Sequence, residues 1–133
     1  MQKIDQQFIN NHWVASQSQR RLAVMDPFRE TVIAEATAGD PADVEAAVTA
    51  ARQAQPAWEA LGGNARGDYL DAFAEALSAR RETLTRLSST NNGKALMEAG
   101  IDLDDAIACY RYYAGQARAL EARQGRLVEH AMD

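Results

Sequence analysis

The chain is poor in residues that fix a structure covalently or bend it sharply, with one cysteine and three prolines among 133 positions. A single cysteine excludes an internal disulfide framework and fits a reducing compartment. No stretch approaches the roughly 18 consecutive apolar residues that a membrane-spanning helix needs. The opening "MQKIDQQFINNHWV" lacks the apolar segment of a secretion signal. These absences predict a cytoplasmic protein with no membrane partner.

A strong charge of either sign is also lacking. Acidic residues outnumber basic ones by 19 to 14, and the resulting net charge of −5 is mild. Lysine and arginine are scattered, so the sequence predicts no basic surface for nucleic acid. What remains is the composition of an ordinary globular domain, with 47% hydrophobic and 25% charged residues.

Residues 1–39 are predicted to form short antiparallel strands. In "FINNHWVAS", strand-forming residues flank Asn10-Asn11, a pair that tolerates the left-handed conformation of a tight turn. In "RLAVMDPFRETVIAEA", the turn-forming pair Asp26-Pro27 separates two further runs of strand formers.

Residues 40–124 are predicted to contain about three amphipathic helices. The first begins after the cap Asp40 and ends at Pro56. The second starts at Asn64 and runs without a break to about residue 92, and the third covers about residues 102–123.

Two glycines mark helix ends in this prediction. Asn92-Gly93 supplies a left-handed cap for the second helix. Gly125 ends the third, and residues 125–133 are predicted to begin a strand.

Cys109 is the candidate nucleophile. A thiol becomes reactive when a helix N-terminus, a cation or a base lowers its pKa. The residues that precede Cys109 include instead an acidic group, Asp102, Asp104 and Asp105, which disfavours a thiolate. We therefore predict that Cys109 is a small packing residue at a helix interface.

Other patterns give no convincing site. "GGNARG", residues 62–67, spaces glycines like a phosphate-binding loop but is neither preceded by a strand nor followed by Lys-Ser or Lys-Thr, so it is interpreted as a loop between helices. The acidic group fits either a cation site or a helix start, and the helix start is favoured. His12 and His130 lack the spacing of zinc ligands.

Whole segments, however, resemble the aldehyde dehydrogenase superfamily. "FINNHWVAS" and "AVMDPFRETVIAEATAGDPADVEAAVTAARQAQPAW" are similar to its opening patterns "xINGxWV", "NPxxGxxIAxV" and "DVxxAVxAARxAxxxW". "ARGDYLDAFAEALSARRETLTRLSSTNNGKALMEA" and "DLDDAIACYRYYAGQARALEARQGRL" resemble the helical segments that follow. The resemblance covers residues 8–128. It implies an α/β fold, with residues 1–133 forming the N-terminal part of a Rossmann-like cofactor domain.

Several positions depart from the family patterns. Asp26 replaces the usual Asn, and Arg29 is interpreted as occupying the place of the usual Gly. Ala95 stands where Pro is common. Gly67 lies early in a predicted helix, where glycine costs about 1 kcal/mol relative to alanine.

The resemblance implies that the residues needed for catalysis lie in polypeptide beyond the segments matched here. Family members carry the catalytic cysteine, the general-base glutamate and the NAD or NADP loop in segments without a counterpart here. No catalytic or cofactor-binding residue is therefore assigned, and no cofactor is expected to bind this chain alone. The family's monovalent cation site implies two partial ligands, the backbone carbonyl of Met25 and the carboxylate of Asp102, with a third ligand beyond Asp133.

Three hypotheses for function result. The first is the N-terminal piece of an NAD(P)+-dependent aldehyde dehydrogenase, inactive until it meets the missing C-terminal part. The second is a non-catalytic helical interaction module that self-associates or binds a complementary polypeptide. The third, a small hydrolase that uses Cys109, is disfavoured by the acidic group.

Overall fold

The computed structural model describes residues 2–130, with side-chain surroundings for residues 3–120. The strands come first, and they are β1 Gln2–Ile4, β2 Gln6–Ile9, β3 His12–Ala15, β4 Arg21–Asp26 and β5 Thr31–Thr37. The helices follow, and they are α1 Pro41–Glu59, α2 Gly62–Ala79, α3 Arg81–Asn92 and α4 Leu96–His130. The mixture of helix and strand is the α/β composition that the sequence predicts.

The described residues form two compact units. The first contains the strands and α1 as far as Pro56, together with Thr90–Gly93. The second contains Ala57–Ser89 and the chain from Lys94 onward.

In the first unit, β2 and β3 form the predicted antiparallel hairpin. Phe8 lies opposite Trp13, and their ring centroids are 5.2 Å apart. Asn10 and Asn11 have φ angles of 52° and 63°, so both residues of the tight turn are left-handed. This part of the prediction is confirmed.

The remaining strands form a sheet in the order β1-β5-β4. β4 and β5 pair antiparallel across the turn at Asp26-Pro27, as predicted. β1 pairs parallel to β5, which the sequence did not predict. Parallel pairing joins segments that are distant in the chain, so no turn residue in the sequence indicates it.

Helix α1 begins with a reciprocal pair of caps. The backbone N–H of Asp43 donates to Asp40 Oδ1, and the N–H of Asp40 donates to Asp43 Oδ2, both at 3.0 Å. The predicted cap at Asp40 is confirmed. The predicted end at Pro56 is wrong, because α1 continues to Glu59. Proline removes one backbone hydrogen bond, and near a helix end that loss does not stop the helix.

Helix α2 begins earlier than predicted, at Gly62, so "GGNARG" is its first turns and not a loop. Gly62 has a φ of 73°, which reverses the chain after α1 at little steric cost. Asn64 lies inside the helix and does not cap it. Arg80, with φ −110° and ψ 14°, separates α2 from α3. The single helix predicted here is therefore two, and the count of about three helices becomes four.

Helix α3 ends at Asn92, and Gly93 has a φ of 78°, so the predicted left-handed cap is confirmed. Helix α4 begins at Leu96, about one and a half turns before the predicted start. It continues through residues 125–130, where the predicted strand is wrong. An interior glycine costs a helix only about 1 kcal/mol, so Gly125 is tolerated. Residues 131–133 of the predicted strand lie outside the described residues.

The buried apolar side chains of the described residues are small. They are Ala34, Ala38, Ala74, Ala99, Ile107 and Ala114. Most of the larger apolar side chains lie on the surface, among them Phe8, Trp13, Phe28, Phe73, Met97 and Tyr112. The core is therefore made mainly by close backbone approach and not by large side chains.

Candidate functional site

Met25, the first residue implied in a cation site, lies near the end of β4. The pairing register of β4 and β5 shifts between Val24 and Met25, as it does at a β-bulge. The residue that this shift leaves out of the pairing is Ile33 of β5, whereas Met25 remains paired with Val32. The register shift therefore gives no support to the role that the resemblance implies for Met25.

The turn after Met25 shows what Asp26, which departs from the family pattern, does. Asp26 is 1% exposed, and its carboxylate accepts hydrogen bonds from the backbone N–H of Phe28 (2.9 Å) and of Arg29 (3.1 Å). The Arg29 guanidinium also donates to Asp26 Oδ2 at 2.8 Å. These bonds, with that of the guanidinium foremost, lower the pKa of Asp26. Asp26 is therefore paired with its neighbour Arg29.

The interpretation of Arg29 as the replaced glycine is wrong. The residue with the left-handed conformation is Glu30, whose φ is 56°. Counted from Asp26 in the pattern "NPxxG", the glycine position is also residue 30. Glu30 therefore occupies the conformation that glycine adopts most readily.

Asp102, the second implied ligand, is engaged in an ion pair. Its carboxylate accepts a hydrogen bond from the ammonium of Lys94. A monovalent cation at this carboxylate would have to compete with that ammonium. Met25 belongs to the first unit and Asp102 to the second, so the two halves of the implied site are described separately.

The other members of the acidic group do not assemble a cation site either. Asp104 accepts two hydrogen bonds of 2.7 Å from Arg81, which lower its pKa. Because α4 begins at Leu96, the acidic group lies in the second and third turns and not at the predicted helix start. Within the part of the chain that the structure describes, no group of three or more His, Cys, Asp or Glu side chains could hold a metal ion.

Cys109 is exposed on α4, so the prediction that it packs in a helix interface is wrong for this chain. Its helical neighbour Ile107 is buried instead. His12 lies in β3 of the other unit, and the side chain of His130 lies outside the described ones.

"GGNARG" does not form a dinucleotide site. A Cβ on Gly67 would lie 2.9 Å from the Arg118 guanidinium carbon and 3.0 Å from the carbonyl oxygen of Ala114. Arg118 is itself held by Asp68 at 2.7 Å and Asp71 at 2.8 Å, and these bonds raise its pKa. The glycine therefore serves the crossing of α2 and α4, and the residues present do not fit a bound pyrophosphate.

The sequence did not predict a groove between α3 and the start of α4. This α3–α4 groove has a volume of about 460 Å³ and is lined by Arg81, Glu82, Thr85, Arg86, Leu96, Met97, Gly100 and Ile101. The available signal was Gly100 inside a helix beside the apolar pair Met97 and Ile101, which are one turn apart.

In the described part of the chain, no helix is long and apolar enough to cross a membrane.

Comparison with known proteins agrees with the resemblance. The model of the aldehyde dehydrogenase family matches residues 13–132. A chloroplastic betaine aldehyde dehydrogenase of Beta vulgaris is 36% identical over 96% of this chain, which corresponds to 27% of that protein. Peroxisomal aminoaldehyde dehydrogenase 1 of Pisum sativum is 35% identical over 96% of this chain and 26% of its own length.

Solved structures give the same result. A betaine aldehyde dehydrogenase from Staphylococcus aureus, in complex with NAD+, superposes with a TM-score of 0.81 and 32% identity. The match covers 86% of this chain and 23% of that one. An NAD-dependent benzaldehyde dehydrogenase from Corynebacterium glutamicum has a TM-score of 0.81 and 27% identity, with 85% and 25% covered. The chain thus spans about a quarter of the length of the relatives it matches.

Proposed function

Since the chain belongs to the aldehyde dehydrogenase family, we propose that it supplies the N-terminal segment of an NAD(P)+-dependent enzyme that oxidises an aldehyde to a carboxylic acid. The proposal rests on how much of each protein the match covers. The match extends over 96% of this chain but only 27% of the Beta vulgaris relative. The catalytic residues would come from polypeptide that corresponds to the remaining three quarters of that relative.

The chain alone is proposed to be inactive. Cys109, the one thiol, is exposed on a helix and follows the acidic group. An active thiol nucleophile needs a base within hydrogen-bond reach. His12, one of the two histidines, lies in β3 of the other unit and not on α4.

The cofactor of the assembled enzyme is proposed to be NAD or NADP, with NAD favoured. The support is that the Staphylococcus aureus relative is described in complex with NAD+ and the Corynebacterium glutamicum relative as NAD-dependent. No cofactor is proposed to bind this chain by itself, because Gly67 of "GGNARG" lies against Arg118 and Ala114 at the crossing of α2 and α4.

A complementation experiment tests the proposal. The chain is co-expressed with the part of the Staphylococcus aureus betaine aldehyde dehydrogenase that has no counterpart in it, and the purified mixture is assayed for NADH formation from betaine aldehyde and NAD+. We expect NADH formation by the pair and none by either polypeptide alone. A pair that forms no complex and no NADH contradicts the proposal.

A second function, a non-catalytic interaction module, is favoured by one specific observation. The described side chains leave large apolar groups exposed, including Phe28 at 84% and Trp13 at 66%, while the core is mostly alanine. Exposed apolar surface of this kind marks binding sites. The two functions differ in what the partner adds: complementation yields NADH only if the partner brings the catalytic residues.

Two narrower proposals accompany the first. Met25 and Asp102 are proposed as a partial monovalent cation site on the resemblance alone, and the ammonium of Lys94 on Asp102 opposes that proposal. The cytoplasm is proposed as the location, on the ground of the single cysteine alone.

A further inference from the structure

We propose that the α3–α4 groove binds apolar side chains of the polypeptide that corresponds to the remaining three quarters of an aldehyde dehydrogenase. This inference rests on the proposed function, because that function supplies the partner. It adds a docking site, which nothing in the resemblance or the comparisons assigns.

The α4 side of the groove presents apolar side chains that lack a cover among the described residues. Met97 is 75% exposed, and Leu96 and Ile101 are 48% and 52% exposed. Met97 and Ile101 are four residues apart on α4 and therefore lie on one face of the helix. A concave patch of exposed apolar side chains is the surface form that binds another apolar surface.

The charges at the rim are already neutralised within the second unit. Arg81 is bound to Asp104 by two hydrogen bonds of 2.7 Å, and Arg86 is bound to Glu82 at 3.3 Å. Each charged side chain that lines the groove thus has an ion-pair partner within the second unit. The groove therefore favours an uncharged, largely apolar occupant that can also bond to the buried Thr85 hydroxyl, which has no hydrogen-bond partner among the described residues.

One wall of the groove is formed where Arg81 passes over Gly100. A Cβ on Gly100 would lie 3.1 Å from Arg81 Nη2, a tight contact that the guanidinium would relieve by a small shift. Arg81 Nη2 donates to the Gly100 carbonyl oxygen at 3.4 Å as well as to Asp104. One wall of the groove is thus held in place by a set of hydrogen bonds before any partner arrives.

The relatives indicate which polypeptide would occupy the groove. The chain superposes on the Staphylococcus aureus enzyme with a TM-score of 0.81 over 86% of its length, yet it accounts for only 23% of that enzyme. A fold of this kind is therefore accompanied there by about three times as much further polypeptide. With a volume of about 460 Å³, the groove can receive several side chains from such a partner.

Capture of the partner tests the assignment. The tagged 133-residue chain is co-expressed with the untagged unmatched part of the Staphylococcus aureus enzyme, and the amount of partner captured per chain is measured. The groove variants are Met97→Asp and Ile101→Asp. The matched control is Leu87→Asp, at an exposed residue of α3 outside the groove.

We expect each groove variant to capture about tenfold less partner than the parent, because docking would bury an unpaired carboxylate. The control is expected to stay within about twofold of the parent, on the same reasoning about burial. Circular dichroism and the unfolding midpoint of each variant alone check its fold. If Ile101→Asp does not fold, Met97→Lys takes its place, because the exposed Met97 side chain tolerates charge in the free chain.

Three outcomes overturn the inference, and they are distinguishable. If the parent captures no partner, the proposed function fails together with the groove. If the parent captures partner and the groove variants match the control, the groove assignment alone fails. If the free chain forms a dimer that Met97→Asp dissociates, the groove belongs to a second copy of this chain.

Discussion

Glu30 carries the clearest local strain among the described residues of the β4–β5 turn. Its φ of 56° lies in the region where a side chain crowds the following carbonyl, at a cost of about 1–2 kcal/mol. The Asp26 carboxylate holds this turn from inside by its bonds to Phe28 and Arg29. The turn thus keeps a conformation that its own sequence does not favour.

Replacing Glu30 by glycine should relieve that strain. We expect Glu30→Gly to raise the free energy of unfolding by about 1 kcal/mol, because glycine adopts a positive φ without a clash. Denaturant unfolding measures the change. The control Glu45→Gly, at an exposed helical position in α1, should lose about 1 kcal/mol by helix propensity. A loss of stability in both variants would contradict the account of the turn.

At the scale of elements, the crossing of α2 and α4 depends on small residues. Ala74 and Ala114 are fully buried, and Gly67 faces the Ala114 carbonyl. Arg118 closes the crossing by binding both Asp68 and Asp71. The glycine that is unfavourable for helix propensity is therefore required for the approach of the helices.

Two glycine-to-alanine substitutions distinguish the effect of helix propensity from the effect of packing at the crossing of α2 and α4. Gly67→Ala should lower the free energy of unfolding by about 1–3 kcal/mol, because its Cβ would overlap Arg118 and the Ala114 carbonyl. Gly115→Ala on α4 should raise it by up to about 1 kcal/mol, since no atom lies within 4 Å of the added Cβ. Thermal unfolding of both variants checks the contrast. Equal shifts of the same sign would refute it.

The start of α1 should make stability depend on pH. Asp43 accepts hydrogen bonds from Ser16 Oγ at 2.5 Å and from the N–H of Asp40 at 3.0 Å, and these bonds lower its pKa below the ordinary value of 3.8. A carboxyl whose pKa is lower in the folded state stabilises the fold above its unfolded pKa. That contribution is lost as the pH falls through the folded pKa.

We therefore expect the unfolding midpoint of the parent to drop below about pH 4, where the unfolded carboxyl begins to bind protons. Asp43→Asn, which cannot ionise, should be less stable than the parent at neutral pH and should show a smaller drop. Unfolding curves across this pH range measure both midpoints. Parallel pH profiles for parent and variant would exclude Asp43 as the titrating group.

For the whole molecule, the shortage of buried large side chains is the dominant feature. Ile107 is the largest apolar side chain buried among the described residues, whereas aromatic pairs such as Phe73 and Tyr110 stack at 5.7 Å on the surface. A chain of this length ordinarily buries about two-thirds of its unfolded surface. Much of the apolar surface of the described residues is therefore exposed.

The isolated chain should consequently associate with itself. Sedimentation is expected to show species larger than a monomer whose share rises with protein concentration, together with binding of a dye specific for apolar surface. A monomer at all concentrations, with no dye bound, would show that the exposed apolar side chains do not drive association.

Features set by local chemistry were predictable from the sequence, and features set by distant contacts were not. Asn10-Asn11 and Gly93 act through their own backbone conformation and Asp40 through a bond from its carboxylate to the N–H three residues on, and the structure confirms all three. The exposure of Cys109 depends on what covers α4, which no neighbour in sequence specifies. The α3–α4 groove was missed because it arises where Arg81 passes over Gly100, a contact between residues 19 positions apart.

The central claim is that this polypeptide contributes a scaffold whose catalytic residues come from elsewhere. The most direct measurement is NADH formation by the purified chain alone with NAD+ and a panel of aldehydes that includes betaine aldehyde. The account predicts no NADH above the rate without protein. NADH formation proportional to the amount of chain, and abolished in Cys109→Ser, would contradict it.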